Sequence, residues 1–227
     1  MATENTDHVT DFYERLAGWY DLFATAPVIR HWRTIAVEEL ALSSGDTVVE
    51  MGCGTGANLP YLRDRVGSEG RVIGVDLTPG MLGQATTRIR QADWSNVSVC
   101  RGDATRPPLS DVDALLGSFV VGLFDDPAAV VDEWIDVVRP DGRIAILEAS
   151  RSNRTIAAPL NLAFRAFVRV SSPGGVSRWR SPARELDRKI AAAQQSIATR
   201  TVERRYRTAA LGLVSVTSGR RPEKRPR

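Results

Sequence analysis

Three acidic side chains and a glycine-rich loop are spaced so that together they can hold a nucleoside. The segment Glu50-Met51-Gly52-Cys53-Gly54-Thr55-Gly56 directly follows a short β-branched run, residues 47–49. Glycines there permit a tight turn and a close approach of backbone N–H groups to a ligand. Asp76 lies 20 residues after Gly56 at the end of the next apolar run, where a carboxylate can accept both ribose hydroxyls. Asp103 follows the third run and offers an acceptor for the adenine amino group.

The loop leaves two cofactor classes open. Residues 52–57 also fit the dinucleotide pattern G-x-G-x-x-G/A, so a nicotinamide-dependent oxidoreductase has to be considered. Glu50 disfavours that alternative, because a carboxylate beside the loop repels a pyrophosphate and attracts a positively charged ligand. S-adenosyl-L-methionine carries an ammonium group and a sulfonium and has no phosphate. The ordered acids therefore favour S-adenosyl-L-methionine as the cofactor.

Composition and charge narrow the class of protein. The chain has 227 residues, 43% hydrophobic and 25% charged, which is typical of a globular domain and excludes whole-chain disorder. The longest mostly apolar run, residues 114–124, is too short to cross a bilayer, and the polar first residues do not predict a secretory signal, so we expect a cytoplasmic protein. Charge is uneven, since residues 1–150 hold 12 basic and 23 acidic side chains whereas residues 151–227 hold 18 and 4.

Apolar runs alternate with helical repeats up to residue 150, which predicts βαβ units and a doubly wound, Rossmann-like α/β fold with a mainly parallel sheet. The predicted strands are residues 47–50, 71–76, 97–100, 112–119 and 143–147, the last preceded by a turn at residues 140–142. The predicted helices are residues 9–23, 28–42, 59–66, 79–91 and 128–138. Beyond Ser150 we predict helices at residues 154–170 and 182–198 and strands at residues 201–207 and 211–217. The motifs fall at the carboxyl ends of strands, where such folds bind ligands.

The segments VVEMGCGTG, VIGVDLTPGML, CRGDATRPPL and VVRPDGRIAILEAS stand in the order found in class I S-adenosylmethionine-dependent methyltransferases, which this chain resembles over residues 46–150. FYERLAGWYD, GSFVVGLFD and YRTAALGLVSVTSGRR are similar to segments of the ubiquinone/menaquinone biosynthesis C-methyltransferases within that class. The resemblance implies a seven-stranded sheet with the last strand antiparallel and an N-terminal helical lid.

The resemblance also implies roles for individual residues. Glu50 and the loop would face the methionine part and the sugar, Asp76 would take the ribose hydroxyls, and Asp103 would lie at the adenine edge. The full set of expected cofactor-binding residues is Tyr20, Glu50, Gly52, Gly54, Thr55, Gly56, Asp76, Leu77, Met81, Asp103, Ala104 and Ser118. No catalytic base and no metal site are assigned.

The resemblance predicts a single domain over residues 1–218. It divides into a lid (1–42), a cofactor-binding core (46–150), a helical substrate-side insertion (151–200) and closing strands (201–218), followed by a basic disordered tail (219–227). The insertion departs from the related enzymes, because it is short and lacks their tyrosine-rich, serine-containing stretch. Phe124-Asp125 also replaces their Arg-Asn pair. These regions form the substrate pocket in the related enzymes, so the departures leave the identity of the acceptor open. We expect a small, apolar acceptor, like a quinol or a lipid.

The basic C-terminal part is compatible with several functions. Its arginines and apolar residues 160–169 are compatible with peripheral contact to a membrane surface, with a substrate lid and with homodimer formation. Nucleic acid is the weakest candidate partner, because only Trp179 and Tyr206 offer aromatic stacking there. Besides the methyltransferase and the oxidoreductase, a non-catalytic binding module of the same fold and an RNA methyltransferase stay open.

Overall fold

A computed structural model describes residues 27–171 and 182–223 of the chain. The predicted first helix and Tyr20 lie outside these residues. The described α-helices are α1 (Pro27–Glu39), α2 (Leu59–Val66), α3 (Pro79–Gln91), α4 (Pro127–Val137), α5 (Ala158–Ser171) and α6 (Pro182–Arg200). The strands are β1 (Thr47–Met51), β2 (Arg71–Asp76), β3 (Val97–Arg101), β4 (Val112–Ser118), β5 (Val138–Ala149), β6 (Val202–Ala209) and β7 (Val214–Arg220).

The seven strands form one sheet in the order β3-β2-β1-β4-β5-β7-β6. Strands β1 to β5 are parallel, whereas β7 lies antiparallel between β5 and β6. The predicted seven-stranded, mainly parallel sheet with its last strand antiparallel is therefore confirmed. The order reverses between β1 and β4, which places a ligand crevice beyond their carboxyl ends.

Apolar side chains cover both faces of the sheet. On one face Trp134 of α4 and Ile197 of α6 are completely buried against the strands, and on the other Ala36 of α1 and Leu59 of α2 are completely buried. Residues that favour the start of a helix, such as capping side chains and proline, stand at the beginning of several helices. Asp126, for example, caps α4 by accepting a hydrogen bond from the Ala129 N–H at 3.1 Å, and Pro127 follows it as the first helical residue.

The last strand also anchors the N-terminal helix. Glu39 at the end of α1 is buried, and its carboxylate accepts a hydrogen bond from the Ser218 hydroxyl of β7 at 2.9 Å. Arg207 of β6 lies 2.5 Å from the same carboxylate. This contact joins segments that are 179 residues apart in the chain, so α1 is positioned by the closing strands.

Several element boundaries differ from the sequence prediction. Residues 140–142 are not a separate turn, because β5 runs through them with a register shift opposite β4 and with Asp141 at a positive φ of 65°. The closing strands lie two to three residues later at their carboxyl ends than predicted, and their connection is the single turn 210–212. Gly219 and Arg220 belong to β7, so the predicted tail does not begin at residue 219. Cys100 is exposed because β3 is an edge strand.

Candidate functional site

The carboxyl ends of β1, β2 and β4 meet around the glycine loop. Backbone N–H groups of Gly52 and Cys53 donate to the Val75 carbonyl at 2.8 and 3.0 Å, which fixes the loop against β2. Gly52, Gly54 and Gly56 have φ angles of 69°, 54° and 75°, a region that side chains with a Cβ rarely adopt. A Cβ on Gly54 would meet no atom within 4 Å, so this glycine faces open space beside the loop.

Glu50 is buried at the end of β1, with 1% of its surface exposed. Its Oε1 atom accepts a hydrogen bond from the Asn58 amide and lies 3.4 Å from the Ser118 hydroxyl. Within the part of the chain that the structure describes, the second oxygen, Oε2, is buried and has no hydrogen-bond partner. A buried polar atom without a partner is costly, so this oxygen marks a place where a hydrogen-bond donor from a ligand would stabilise the site.

Burial raises the pKa of Glu50 from 4.5 to about 7. The Asn58 hydrogen bond, the nearby Arg33 charge and the Ser118 hydroxyl oppose that rise, and the Asp76 charge adds to it. The carboxyl is therefore poised between its neutral and ionised forms at neutral pH, and a cation beside Oε2 would favour the ionised form.

Sequence reasoning missed two residues that organise Glu50. The Asn58 amide also donates to the Ser118 hydroxyl at 2.7 Å, and its Oδ1 accepts a hydrogen bond from the Arg33 guanidinium at 2.7 Å. Both Asn58 and Arg33 are buried. Asn58 lies two residues beyond Gly56, a position that could have drawn attention, whereas nothing in the sequence around Arg33 connects helix α1 with the glycine loop.

Asp76 ends β2 as predicted and accepts two backbone hydrogen bonds. The Gly54 N–H donates to Oδ2 and the Thr78 N–H donates to Oδ1, each at 2.8 Å. Because a carboxylate oxygen accepts more than one hydrogen bond, both oxygens keep capacity for ligand hydroxyls. Asp76 is thus part of the loop's own structure as well as a candidate ribose acceptor.

The part of the site that is expected to hold the adenine is more exposed than the glycine loop. Asp103 is exposed and accepts hydrogen bonds from the Thr105 N–H and hydroxyl, each at 2.8 Å, through Oδ1. The Ala104 carbonyl accepts a 2.7 Å hydrogen bond from the indole of buried Trp134, which ties this loop to the core. Leu77 is 37% exposed, so its side chain is accessible to a ligand, whereas Met81 is buried on the first turn of α3.

Thr55 and Cys53 are also buried within the loop. Burial raises the pKa of the Cys53 thiol well above its usual value, and the Glu50 and Asp76 charges raise it further. A protonated, buried thiol is a poor nucleophile, so Cys53 is suited to fill space in the loop rather than to attack a substrate.

A third buried carboxyl fixes the loop after β4. Glu148 of β5 accepts hydrogen bonds from the Val120 and Val121 N–H groups, each at 3.0 Å, and burial raises its pKa to about 7. Phe119 in this loop has a positive φ of 55°. A Cβ on Gly52 would lie 2.5 Å from the Val120 side chain, so the Glu148 contacts hold the β4 loop directly against the glycine loop.

The structure therefore brings together Glu50, the three glycines, Thr55, Asp76 and Ser118. Leu77, Asp103 and Ala104 follow the neighbouring strands at the same edge of the sheet, while Met81 lies below the surface. No group of three or more His, Cys, Asp or Glu side chains is placed to hold a metal ion within residues 27–171 and 182–223. Among the described helices, none is long and apolar enough to cross a bilayer.

Comparison with known proteins shows what this chain is similar to. Residues 48–142 match the family described as methyltransferase domain. Arsenite methyltransferase of Halobacterium salinarum is 35% identical over 108 residues, covering 47% of this chain and 28% of that protein. Demethylmenaquinone methyltransferase of Shouchella clausii is 27% identical over 180 residues, covering 77% of this chain and 76% of that protein.

Solved structures share the fold. A SAM-dependent methyltransferase from Aquifex aeolicus aligns with a TM-score of 0.58 and 21% identity over 83% of this chain and 88% of its own. The chain spans less than half the length of some curated relatives that it matches, including 28% of the arsenite methyltransferase. The match of residues 48–142 covers the glycine loop, Asp76, Asp103 and Ser118 together.

Proposed function

We propose that this chain is a class I S-adenosylmethionine-dependent methyltransferase and that it methylates a small, apolar acceptor of quinol-like or lipid-like chemistry. The observation that carries the proposal is the buried Glu50 carboxyl at the head of the glycine loop, whose Oε2 has no partner among the described residues. The likeness to a demethylmenaquinone methyltransferase over most of its length supports a quinol-like acceptor.

The residues present fit S-adenosyl-L-methionine. Oε2 of Glu50 can accept a hydrogen bond from the ammonium group of the methionine part, and the open space at Gly54 admits the sugar close to the backbone. Asp76 would accept the ribose hydroxyls, with Leu77 and Met81 on one side of the adenine and Asp103 and Ala104 at its edge. Tyr20, Gly52, Thr55, Gly56 and Ser118 complete the proposed binding set.

When bound, S-adenosyl-L-methionine would supply an electrophilic methyl carbon, which the acceptor's nucleophilic atom would attack in line as the methyl–sulfur bond breaks and the thioether leaves. The protein's task is to align the two and to exclude water, which contributes up to about 7–11 kcal/mol. Asn58 holds the Glu50 carboxyl and is itself held by Arg33, and Glu148 holds the β4 loop beside them. These contacts place the cofactor-facing groups before the acceptor arrives.

The buried Glu50 also separates this function from the oxidoreductase alternative, because a carboxylate in that position repels a pyrophosphate. Calorimetric titration of the folded protein with S-adenosyl-L-methionine and, in parallel, with NADH tests this point. We expect heat of binding with the first ligand only. Binding of NADH alone would overturn the proposal.

The acceptor class is tested by labelled methyl transfer. The protein is incubated with labelled cofactor and a cell extract, which is then separated into lipid, small-molecule, RNA and protein fractions. We expect label in the lipid or apolar small-molecule fraction, and the Asp76→Ala variant serves as the matched blank. Label confined to RNA would favour an RNA methyltransferase, and no incorporation with a bound cofactor would favour a binding module.

A further inference from the structure

Four large apolar side chains form an exposed ridge, which comprises Ile156, Leu160, Leu162 and Leu211. Ile156 precedes α5, Leu160 and Leu162 lie on its first turns, and Leu211 lies in the turn between β6 and β7. Their exposed fractions are 73%, 45%, 68% and 41%. The turn 210–212 packs against residues 155–157, so Ile156 and Leu211 lie in neighbouring segments. Single exposed apolar residues need no explanation, whereas several large ones on neighbouring segments are a candidate binding surface.

The ridge lies at the same edge of the sheet as the cofactor crevice. Ala149 at the carboxyl end of β5 pairs with Val214, and Val214 pairs with Ala209 at the carboxyl end of β6. The segments that carry the ridge, residues 150–162 and 210–212, start from these three paired ends. Ser118 ends β4, the neighbour of β5, at this edge, so acceptor entry and ridge face the same side.

The backbone displays Leu211 at a conformational cost. Ala210 and Leu211 have φ angles of 50° and 57°, values that disfavour residues with a Cβ. Gly212 follows them at a φ of 90°, which a glycine adopts without strain because it has no Cβ. The Ser152 hydroxyl donates to the Leu211 carbonyl and holds the turn in place. Strained backbone of this kind persists where surrounding contacts enforce it, and it is concentrated at functional sites.

The segment that carries most of the ridge is basic. Residues 150–171 contain four arginines and no acidic residue. Arg151 is paired with Asp187 at 2.6 Å. Arg154 and Arg165 are exposed, and no acidic side chain among residues 27–171 and 182–223 pairs with either of them. Apolar side chains flanked by unpaired arginines match the boundary between acyl chains and anionic headgroups.

We propose that this ridge docks the protein on an anionic lipid surface and thereby turns the mouth of the cofactor crevice toward the bilayer. The inference rests on the proposed function in one respect, because an acceptor that is itself a lipid would reach the crevice from that surface. The occupant is a bilayer rather than another protein, since the arginines carry the charge that complements anionic headgroups and the apolar side chains are of a size that enters the acyl boundary.

Co-sedimentation with vesicles tests the docking without any methyl transfer. The full chain is mixed with vesicles of phosphatidylcholine alone or with about 30% phosphatidylglycerol, at low and at high salt. Two double variants are compared, Ile156→Ser with Leu162→Ser and Arg154→Gln with Arg165→Gln. The matched control is Val202→Ser with Arg71→Gln, which removes one exposed apolar side chain and one exposed arginine at the opposite edge of the sheet.

We expect binding to the anionic vesicles, weakened by salt, and a loss of at least about tenfold in the partition coefficient for each ridge variant. The control variant binds like the unaltered chain, and all variants keep their affinity for S-adenosyl-L-methionine. Absence of vesicle binding, or an equal loss in the control, overturns the docking proposal. Sedimentation that depends on the ridge arginines but not on Ile156 and Leu162 also overturns it, because it reflects charge alone.

Failure of this inference is distinguishable from failure of the proposed function. Methyl transfer to a detergent-dispersed acceptor without vesicle binding leaves the function standing and removes the docking. Ridge-dependent vesicle binding by a chain that binds no S-adenosyl-L-methionine leaves the docking standing and removes the function.

Discussion

The Arg33 guanidinium donates a 2.7 Å hydrogen bond to Oδ1 of Asn58, and both side chains are buried beneath the glycine loop. Arg33 belongs to α1, whereas Asn58 immediately precedes α2 and holds Glu50 and Ser118 through its amide. A positive charge on one helix therefore supports the acidic end of the cofactor site through a single intervening side chain.

Replacing Arg33 with methionine removes that charge. Arg33 lowers the pKa of Glu50, so Arg33→Met raises it further and leaves less of the ionised carboxyl at pH 7. We expect the dissociation constant for S-adenosyl-L-methionine to rise about tenfold at pH 7 and to recover in part at pH 9, measured by calorimetry. Arg30→Met is the control, because Arg30 lies on the same helix but donates to the exposed Tyr61 hydroxyl. Equal losses in both variants would contradict the role given to Arg33.

Cofactor binding should depend on pH through Glu50. Its pKa of about 7 means that the carboxyl is mostly protonated at pH 6 and mostly ionised at pH 8, and the cationic cofactor selects the ionised form. We expect the dissociation constant to be about tenfold larger at pH 6 than at pH 8. Glu50→Gln should bind weakly with a flat pH profile. A profile that keeps its slope in Glu50→Gln would assign the titration to another group.

Glu148 should make the stability of the protein depend on pH. Its pKa is raised to about 7, so the folded state holds a proton that the unfolded chain releases above pH 4.5, and stability falls as pH rises from about 4.5 to 7. Glu148→Gln keeps an oxygen for the Val120 and Val121 N–H groups and removes the buried charge. We expect its free energy of unfolding to exceed that of the unaltered protein by up to about 3 kcal/mol at pH 8 and by nothing at pH 4.5. Denaturant titrations at both pH values measure the difference, and an equal gain at both would refute the assignment.

Asp76→Ala should weaken cofactor binding by at least about tenfold. The change removes the ribose acceptor and also leaves the Gly54 and Thr78 N–H groups without their side-chain partner. Asp76→Asn keeps one oxygen acceptor and should lose less stability while still binding the cofactor poorly, since the charge-assisted hydrogen bonds are gone. Calorimetry and thermal unfolding of both variants separate the two contributions. Unchanged affinity in Asp76→Ala would show that the ribose site lies elsewhere.

Gly52 and Gly54 of the glycine loop should respond differently to replacement by alanine. Gly52→Ala places a Cβ 2.5 Å from Val120, whereas Gly54→Ala meets open space, although both positions have positive φ. We expect Gly52→Ala to lower the unfolding temperature more, and Gly52→Ala with Val120→Ala to recover part of that loss. Gly54→Ala should mainly reduce cofactor affinity, because its Cβ enters the proposed sugar space. Identical melting and binding changes in the two single variants would argue against a ligand beside Gly54.

The sequence predicts the sheet well because its strands are short β-branched or apolar runs bounded by turn residues, as in Thr47–Met51 and Arg71–Asp76. The glycine loop, Asp76 and Asp103 can be predicted in the same way, because each lies at the end of such a run or just after it. Residues 140–142 mislead because Pro-Asp-Gly is typical of a turn. They bulge where the register with β4 shifts, and backbone hydrogen bonds of Asp141 and Gly142 with Arg221 keep them in line with the sheet.

Long-range contacts are the part that local patterns do not reveal. Arg33, Asn58 and Glu148 act through partners that are 25 or more residues away or on another strand, and their own sequence surroundings are unremarkable for a helix, a loop and a strand. The exposed ridge is likewise divided between residues 156–162 and Leu211, which only the antiparallel insertion of β7 brings together.

The anchoring of Glu39 by Ser218 and Arg207 has a consequence for how this chain is made on the ribosome. Until residues 202–220 have emerged, β5 has an open edge and the carboxylate at the end of α1 has no partner to offset its burial. The sheet can therefore reach its final arrangement only late in synthesis. A nascent chain arrested before Val214 would expose the β5 edge, and such intermediates are the ones that chaperones bind.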